Sequence, residues 1–261
     1  GEWVLLNGNQ TALMFVYYLI TRWKELGKIN GKEYIVKTIV TTETIKTIAE
    51  RNGVEMYDVY TGFKWIANVM RENEGKKNYI GGGEESYGFL CEDFVRDKDA
   101  VSACVILAEI AAWAKDQGLS LYQLLQKIYV EYGFSKEKGI SYVKKGKSGA
   151  EEIEAMMKKF RENPLTEIAG SKVTYFYDYS TLKGKDYAEN ETVTLDMPTT
   201  SNVLQYFTED NTKVSIRPSG TEPKIKFYCE VHSKVKSIDE LPEAEKAAEE
   251  KINQIKASLG I

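Results

Sequence analysis

The chain reads as two α/β modules in series. A mixed, mostly parallel α/β/α sandwich over residues 1–133 is followed by a smaller α+β domain over residues 134–261, with an antiparallel sheet and helices on one face. Three observations carry this expectation. Between about Tyr34 and Ile80, short apolar runs alternate with segments of helical spacing, the pattern of a parallel sheet covered on both faces. Beyond Gly133 to Ser135, strand-like runs follow one another beside two helices instead. The length of 261 residues has room for one large domain or two ordinary ones.

Taken in order, Trp3 to Leu6 reads as the end of a strand. Asn7-Gly8-Asn9 then turns the chain and supplies a helix cap. Ala12, Phe15, Val16, Leu19, Ile20 and Trp23 recur at helical spacing, and Gly27 ends the run. Tyr34 to Val40 is β-branched and apolar, a buried strand. Thr41 or Thr42 caps a helix that ends near Asn52-Gly53, and Val54 to Tyr60 is the next strand. Thr61-Gly62 opens a helix carrying Phe63, Ile66, Ala67 and Met70, and Asn78 to Ile80 is a short strand running into Gly81-Gly82-Gly83. Helices follow from about Lys98 to Gln117 and, capped by Ser120, to about Tyr132.

In the second module, Gly139 to Lys145 is a strand and Ala150 to Arg161 a helix closed by Asn163-Pro164. Strands are expected at Val173 to Tyr179, Thr192 to Leu195, Val203 to Phe207, Lys213 to Arg217 and Lys224 to Val231, before an amphipathic helix from Glu243 to Leu259. The Tyr175-Phe176-Tyr177 cluster reads as sheet core and surface rather than a platform for stacking bases.

Composition narrows the function. A net charge of -4 argues against general nucleic-acid binding, so any phosphate site is local. Cys91, Cys104 and Cys229 are widely spaced and form neither a metal-ligand pattern nor a disulfide framework, which fits a reducing compartment and a cytoplasmic location. No apolar run is long enough to span a membrane, and no signal peptide is read. Gly1-Glu2-Trp3 runs straight into an apolar piece, as an excised fragment would.

Two stretches carry the chemistry. Arg217-Pro218-Ser219-Gly220-Thr221-Glu222-Pro223-Lys224 lies between two alternating arms, a hairpin tip or something more. Gly220 permits a tight backbone, the hydroxyls and N–H groups converge on an anion, and Arg217 adds a planar fork suited to phosphate oxygens. In a parallel sheet, ligands sit beyond the carboxyl ends of the strands. Three loops occupy that edge: Thr41-Thr42, Tyr60 to Lys64, and Gly83-Glu84-Glu85-Ser86-Tyr87-Gly88. In the last, carboxylates and a hydroxyl are matched to vicinal sugar hydroxyls. Paired acids also bind metals, but the spacing lacks the alternating acids of a dedicated cation loop. Lys64 is read as solvated, and Asp97 as a helix cap beside Arg96, Lys98 and Asp99.

These residues carry a resemblance. Arg217 to Lys224 resembles the phosphate-binding loop of the alpha-D-phosphohexomutases, the family of phosphoglucomutase and phosphomannomutase. Gly83 to Gly88 resembles its sugar-binding loop, Thr61-Gly62-Phe63-Lys64 the loop facing the sugar ring, and Arg96 to Asp99 the segment just after the sugar loop. The likeness spans about the whole chain and is closest to the phosphoglucomutase-2 type. It implies sugar binding by Thr61, Gly62, Glu84, Ser86 and Arg96, and phosphate binding by Arg217, Ser219, Gly220, Thr221 and Lys226. It also implies a proton-handling or charge-stabilising role for Lys98.

The family has four domains. The first carries a serine that cycles through a phosphorylated form, and the second an Asp-rich loop that binds Mg2+. Neither motif is found here, and the only histidine, His232, lies on the final strand arm. The chain therefore resembles the third and fourth domains, with domains 1 and 2 as missing partners and the Mg2+ ligands outside it. The implied reaction interconverts a hexose 1-phosphate and a hexose 6-phosphate through the phosphoserine and a hexose 1,6-bisphosphate. This chain would hold the substrate and be inactive alone. The Tyr87-Gly88-Phe89 ending departs from the Gly-His ending of many phosphomannomutase and glucosamine-phosphate mutase loops and favours a glucose phosphate. The competing expectation is a noncatalytic sugar-phosphate-binding or regulatory module.

Overall fold

The computed structural model describes residues 3–144, 146–220 and 222–261. It divides into two compact units, Gly1–Phe134 with Lys234–Asp239, and Ser135–Ser233 with Glu240–Ile261.

The first unit is built on a four-stranded sheet of order β2-β1-β3-β4. Strand β1 (Glu33–Thr38) is buried at every position, because it lies between β2 (Glu55–Val59) and β3 (Asn78–Gly83) and is parallel to both. The expected continuous run of β-branched and apolar residues is what such a central strand needs. Strand β4 (Phe89–Cys91) is antiparallel to β3 and was not anticipated; it turns the Gly83 to Gly88 stretch into a hairpin tip.

Helix α3 (Phe63–Asn73) packs Phe63, Ile66 and Met70 on one sheet face, against Tyr34, Val36 and Leu90. On the other face, α1 (Gly8–Glu25) lies over β3 and stacks Phe15 on Phe89 at 4.5 Å. Asn7 caps α1 as expected, and its side chain and that of Gln10 each accept the other's backbone N–H at 2.9 Å. The helix is buried on more than the one stripe its spacing suggested. It contacts α2 (Thr44–Arg51), α4 (Ala100–Asp116) and α5 (Leu121–Tyr132) as well as the sheet, so Met14, Tyr17 and Tyr18 are buried too.

Three local expectations are corrected. Trp3 to Leu6 is not a strand: these residues are irregular and Trp3 and Leu5 are exposed. An apolar run without a neighbouring strand has no ladder to join. Glu43, rather than Thr41 or Thr42, stands at the N-cap position of α2, while Thr42 Oγ1 accepts from the Thr44 N–H at 3.4 Å from one residue further out. Both threonines are buried instead. Thr41 pairs with Thr38 at 2.8 Å between hydroxyls, and the Thr42 N–H donates to Asn9 Oδ1 at 3.0 Å, which fastens this turn to the start of α1. Helix α4 is capped by Asp99, not Asp97; the Asp99 carboxylate accepts from the Ser102 N–H at 2.9 Å. The Ser102 side chain and N–H hold that carboxyl below its usual range.

The second unit is an antiparallel sheet of order β5-β12-β11-β10-β7-β8-β9, with β6 paired to β7. Its strands are β5 (Phe134–Val143), β6 (Glu167–Ile168), β7 (Ser171–Asp178), β8 (Lys183–Asp186), β9 (Glu191–Thr194), β10 (Leu204–Thr208), β11 (Lys213–Pro218) and β12 (Lys224–Ser233). Helices α6 (Gly146–Glu162) and α7 (Leu241–Leu259) both pack against β12. Phe160 of α6 meets Phe227, so α6 covers the face on which Phe227 and Cys229 lie. On the other face Tyr175, Tyr177 and Tyr179 form a row with ring centroids 6.0 and 6.4 Å apart, while Phe176 is buried in the core.

The start of α1 is set close against the β3–β4 hairpin tip. A Cβ at Gly8 would fall inside the van der Waals envelope of the Glu85 carbonyl oxygen and lie 2.7 Å from the Tyr87 nitrogen. Alanine in a helix gains up to about 1 kcal/mol over glycine, but overpacking against backbone costs about 1–3 kcal/mol or more. Gly8→Ala is therefore expected to destabilise the chain by about 2 kcal/mol in urea unfolding. A neutral or stabilising result would mean that the hairpin tip does not rest on α1.

Candidate functional site

In the first unit four of the expected sugar-binding residues, Thr61, Gly62, Glu84 and Ser86, come from two loops at the same sheet edge. Loop Thr61-Gly62 follows β2, and Gly62 adopts φ +113, a conformation that favours glycine, before α3 begins. The hairpin tip follows β3. Its backbone is closed by Glu84 N–H donating to the Gly88 carbonyl at 2.8 Å, and Tyr87 sits at positive φ. The two loops are joined directly, with the Gly62 N–H donating to Glu84 Oε1 at 2.7 Å. Thr38 donates to Glu85 Oε2 at 3.4 Å, and the Tyr87 hydroxyl donates to the Leu6 carbonyl at 3.0 Å. Ser86 is exposed at the tip.

Lys98 approaches the same tip. A Cβ at Gly88 would lie 3.1 Å from both Lys98 Cδ and Glu84 Oε2, so the lysine stem and the Glu84 carboxylate flank Gly88. The Lys98 ammonium stands 5.5 Å from the centre of the Phe63 ring and 3.2 Å from Asp97 Oδ1. The Lys98 N–H, then its ammonium, keep the Asp97 carboxyl below its ordinary range. A cavity of about 590 Å3 opens here along α3, lined by Phe63, Lys64, Arg71, Arg96 and Lys98 among others.

Arg96 is held differently. Its guanidinium pairs with Glu74 at 3.0 Å, at the C-terminal end of α3. The 11 residues of α3 put that end about 16 Å from Gly62 at the usual rise per residue. Glu84, Gly62 and Lys98 thus converge, and the Arg96 side chain is fastened at the far end of the helix.

One contributor was not singled out from sequence. Lys37 is buried in β1, and its ammonium bonds Asp58 at 2.7 Å and Glu43 at 2.9 Å. A lysine inside the run Tyr34-Ile35-Val36-Lys37-Thr38 was the available signal, since a buried charge requires partners. Here it ties the segment that follows β1 to the end of β2.

In the second unit the expected phosphate loop is the tip of the β11–β12 hairpin. Ser219 N–H donates to the Lys224 carbonyl at 2.7 Å, Lys224 N–H to the Glu222 carbonyl at 2.7 Å, and Glu222 N–H to Ser219 Oγ at 3.3 Å. Lys224 also forms an ion pair with Glu222 and keeps that carboxyl below its usual range. Gly220 is open: among the described residues, its chain neighbours apart, no atom lies within 4 Å of a Cβ built there. Thr221, expected to bind phosphate, lies outside the described residues.

The register sets Lys226 directly opposite Arg217, so both side chains leave the same face of the ribbon. That face is the one away from α6, because Ile216, Ile225 and Phe227 fill the helix side. Further down it, a buried chain runs from the Tyr179 hydroxyl to Gln205 Oε1 at 2.6 Å and from Gln205 Nε2 to Ser215 Oγ at 2.7 Å. A cavity of about 760 Å3 borders the tip on the other side, between Pro218, Ser219 and Gly220 and the α6 residues Ile153 and Met157. Neither Arg217 nor Lys226 lines it.

Among the described residues no three His, Cys, Asp or Glu side chains gather as a metal's donor set. The Glu84-Glu85 pair does not change this, because Glu84 is turned to the Gly62 N–H and Glu85 to Thr38. Nor, among those residues, is any helix long and apolar enough to cross a membrane.

Comparison with known proteins identifies both units. Residues 7–132 match the family model described as phosphoglucomutase/phosphomannomutase, alpha/beta/alpha domain III, and residues 143–248 that of the C-terminal domain. A phosphoglucomutase of Staphylococcus aureus is 37% identical over 228 residues, 87% of this chain and 40% of that protein. One from Staphylococcus haemolyticus is 33% identical over 232 residues, 89% of this chain and 41% of the relative. The chain thus spans about two fifths of the length of these relatives. The fold is shared with the phosphoglucomutase parafusin of Paramecium, at TM-score 0.58 and 17% identity over 99% of this chain and 43% of that one. It is also shared with a putative phosphomannomutase of Thermus thermophilus, at TM-score 0.56 and 18% identity over 93% and 41%. With both of its modules matched in order, the chain belongs to the phosphoglucomutase/phosphomannomutase family and corresponds to its domain III and C-terminal domain.

Proposed function

We propose that this chain is the substrate-holding part of a phosphohexomutase, which interconverts a hexose 1-phosphate and a hexose 6-phosphate through a phosphoserine and a hexose 1,6-bisphosphate. The observation that carries the reading is the 2.7 Å bond from the Gly62 N–H to Glu84 Oε1. An ionised carboxylate accepts about four hydrogen bonds, so fixing one of them to Gly62 orients the remaining capacity while leaving it usable. Glu84 and Ser86 then accept from and donate to adjacent ring hydroxyls. Because pyranose O3 and O4 nearly exchange places when the sugar is turned over, one set of contacts serves both orientations. Thr61 and Gly62 face the ring from the neighbouring loop, and Arg96 is the contact that must swing away from Glu74 to take part.

The phosphate that is not reacting is gripped by Arg217, Ser219, Gly220, Thr221 and Lys226. Arg217 and Lys226 side by side supply a fork and a point charge, and the open backbone at Gly220 lets N–H groups approach oxygen closely. Binding energy from this remote group orients the sugar at the reacting end. Lys98, held beside Gly88 and Glu84, stabilises charge or moves a proton at the hydroxyl that is attacked or released. The transferred phosphoryl group and the Mg2+ that the family uses belong to the portion of the enzyme outside this chain. A glucose phosphate is the preferred substrate on the Tyr87-Gly88-Phe89 ending of the sugar loop.

Two measurements test the reading. In calorimetric titration with glucose 6-phosphate, Glu84→Gln and Arg217→Lys are each expected to weaken binding about tenfold, the loss of one charge-assisted contact, with urea midpoints little changed. Unaltered affinity in either variant would remove that residue from the site. A coupled assay with glucose 1-phosphate, Mg2+ and a bisphosphate primer is expected to give no turnover on the 261-residue chain, because no phosphoryl donor is in line with its acceptor. Turnover retained through repurification would mean that the transferring groups lie within these residues.

A further inference from the structure

The groove along α3 carries a charge opposite to that of the protein around it. The chain has a net charge of -4, yet this cavity of about 590 Å3 is lined by Lys64, Arg71, Arg96 and Lys98 against one carboxylate, Asp97. All four cations are exposed. One wall is a single stripe of α3, because Lys64, Ala67, Asn68 and Arg71 stand at i, i+3, i+4 and i+7. The other is the segment Arg96-Asp97-Lys98.

The cations form two pairs. At the first turn of α3, the Lys64 ammonium stands 4.9 Å from the centre of the Trp65 ring and that of Lys98 5.5 Å from the centre of the Phe63 ring. At the last turn, Arg71 lies three residues before Glu74, on the same side of the helix, and Glu74 holds the Arg96 guanidinium at 3.0 Å. Arg71 is itself oriented. Its Nη2 donates to Asn68 Oδ1 at 3.0 Å, and the Asn68 amide donates to Glu72 at 2.7 Å. Lys64 and Arg71 are about 10 Å apart along the helix at the usual rise. Asp97 is engaged by Lys98 and Glu74 by Arg96. Among the described residues, neither Lys64 nor Arg71 is paired with a carboxylate.

We propose that this groove is a holding site for a hexose bisphosphate, separate from the loops assigned to the sugar. Two pairs of cations set this far apart match two anionic groups on one frame, with arginine forks at one end and lysine point charges at the other. In a hexose 1,6-bisphosphate the shortest path between the phosphorus atoms is about seven bonds, which spans about 8 Å at the roughly 3.5 Å that three backbone bonds cover. Flexible lysine and arginine side chains close the remainder. A nucleotide fits less well, because Phe63 is buried and Lys98 stands over its ring, leaving no open face for a base. Arg71 is about 13 Å beyond Gly62 along α3, so a phosphate at the arginine end is clear of Glu84. Arg96 acts here from the position beside Glu74 that the structure gives it. A bisphosphate that leaves the sugar loops is thereby kept nearby at a high effective concentration. The choice of a hexose rests on the mutase reading, and the two phosphate groups rest on the groove alone.

Amide shifts of the isotopically labelled chain, followed in separate titrations with glucose 1,6-bisphosphate, glucose 6-phosphate and inorganic phosphate, test the site. The bisphosphate is expected to move the amides of Asn68 and Arg71 with an affinity at least about tenfold above that of either singly phosphorylated probe at the same amides, the gain from a second charge-assisted contact. Arg71→Ala is expected to weaken that binding about tenfold, and Arg71→Lys by less, with the melting temperature and the glucose 6-phosphate midpoint at Glu84 unchanged. Bisphosphate shifts at the Glu84 and Ser219 loops with none at Asn68 and Arg71 would overturn the proposal and leave the mutase reading standing. Equal affinity of inorganic phosphate in the groove, or full bisphosphate affinity in Arg71→Ala, would overturn it as well. Groove shifts with bisphosphate, while glucose 6-phosphate leaves the Gly62 and Glu84 amides unmoved, would support the groove and count against the mutase reading.

Discussion

The first unit depends on backbones approaching more closely than any side chain would allow. At Gly82 a Cβ would overlap the Val36 carbonyl, at Gly83 it would lie 2.6 Å from the Gly88 carbonyl, and at Gly8 it would overlap that of Glu85. These three contacts bring β1, β3, the β3–β4 tip and the start of α1 into one tight knot. Glu84 leaves that knot at a fixed place, which is why its carboxylate reaches the Gly62 N–H from 22 residues away. Glycine loses more conformational freedom on folding than other residues, and the long buried side chains of α1 and β1 around the knot offset that loss.

Two of the loops assigned to the substrate are tips of antiparallel hairpins, one in each unit, with bonded bases under open ends. Beneath the Arg217 tip lies the Tyr179-Gln205-Ser215 chain, buried and hydrogen-bonded throughout. Beneath the Glu84 tip lies Gly8, in contact with the Glu85 and Tyr87 backbone. Ser86 and Gly220, at the ends, are exposed. Such an arrangement limits what must be ordered when a ligand binds to a few residues, which keeps the entropic cost of binding small.

Much of this was legible in the residues, and the failures have local causes. The central strand β1 was clear because burial on both faces demands an unbroken apolar run. The cap of α1 was legible in Asn7-Gly8-Asn9, and the structure adds the reciprocal bonds between Asn7 and Gln10. Strand β4 has only 3 residues, and β8 reads Lys183-Gly184-Lys185-Asp186, so neither offers an alternation to detect. Trp3 to Leu6 has strand composition without a strand beside it, which composition cannot reveal. For the site, the residue types that suit sugar and phosphate were visible, as was the Arg217 hairpin. The Gly62–Glu84 bond and the Arg96–Glu74 ion pair are tertiary matters and were not. Lys37 was visible as an anomaly within an apolar run, but what it holds required the fold.

The central proposal is that the Glu84 loop contacts the sugar of a hexose phosphate and the Arg217 loop contacts its phosphate. Backbone amide chemical shifts of the isotopically labelled chain, titrated with glucose 6-phosphate and separately with inorganic phosphate, test it most directly. The account predicts that inorganic phosphate moves the amides of Ser219, Gly220 and Lys226 alone. Glucose 6-phosphate should move those and, at the same midpoint, the amides of Gly62, Glu84 and Ser86. Saturating shifts confined to other surfaces, or shifts at the two loops with unrelated midpoints, would contradict it.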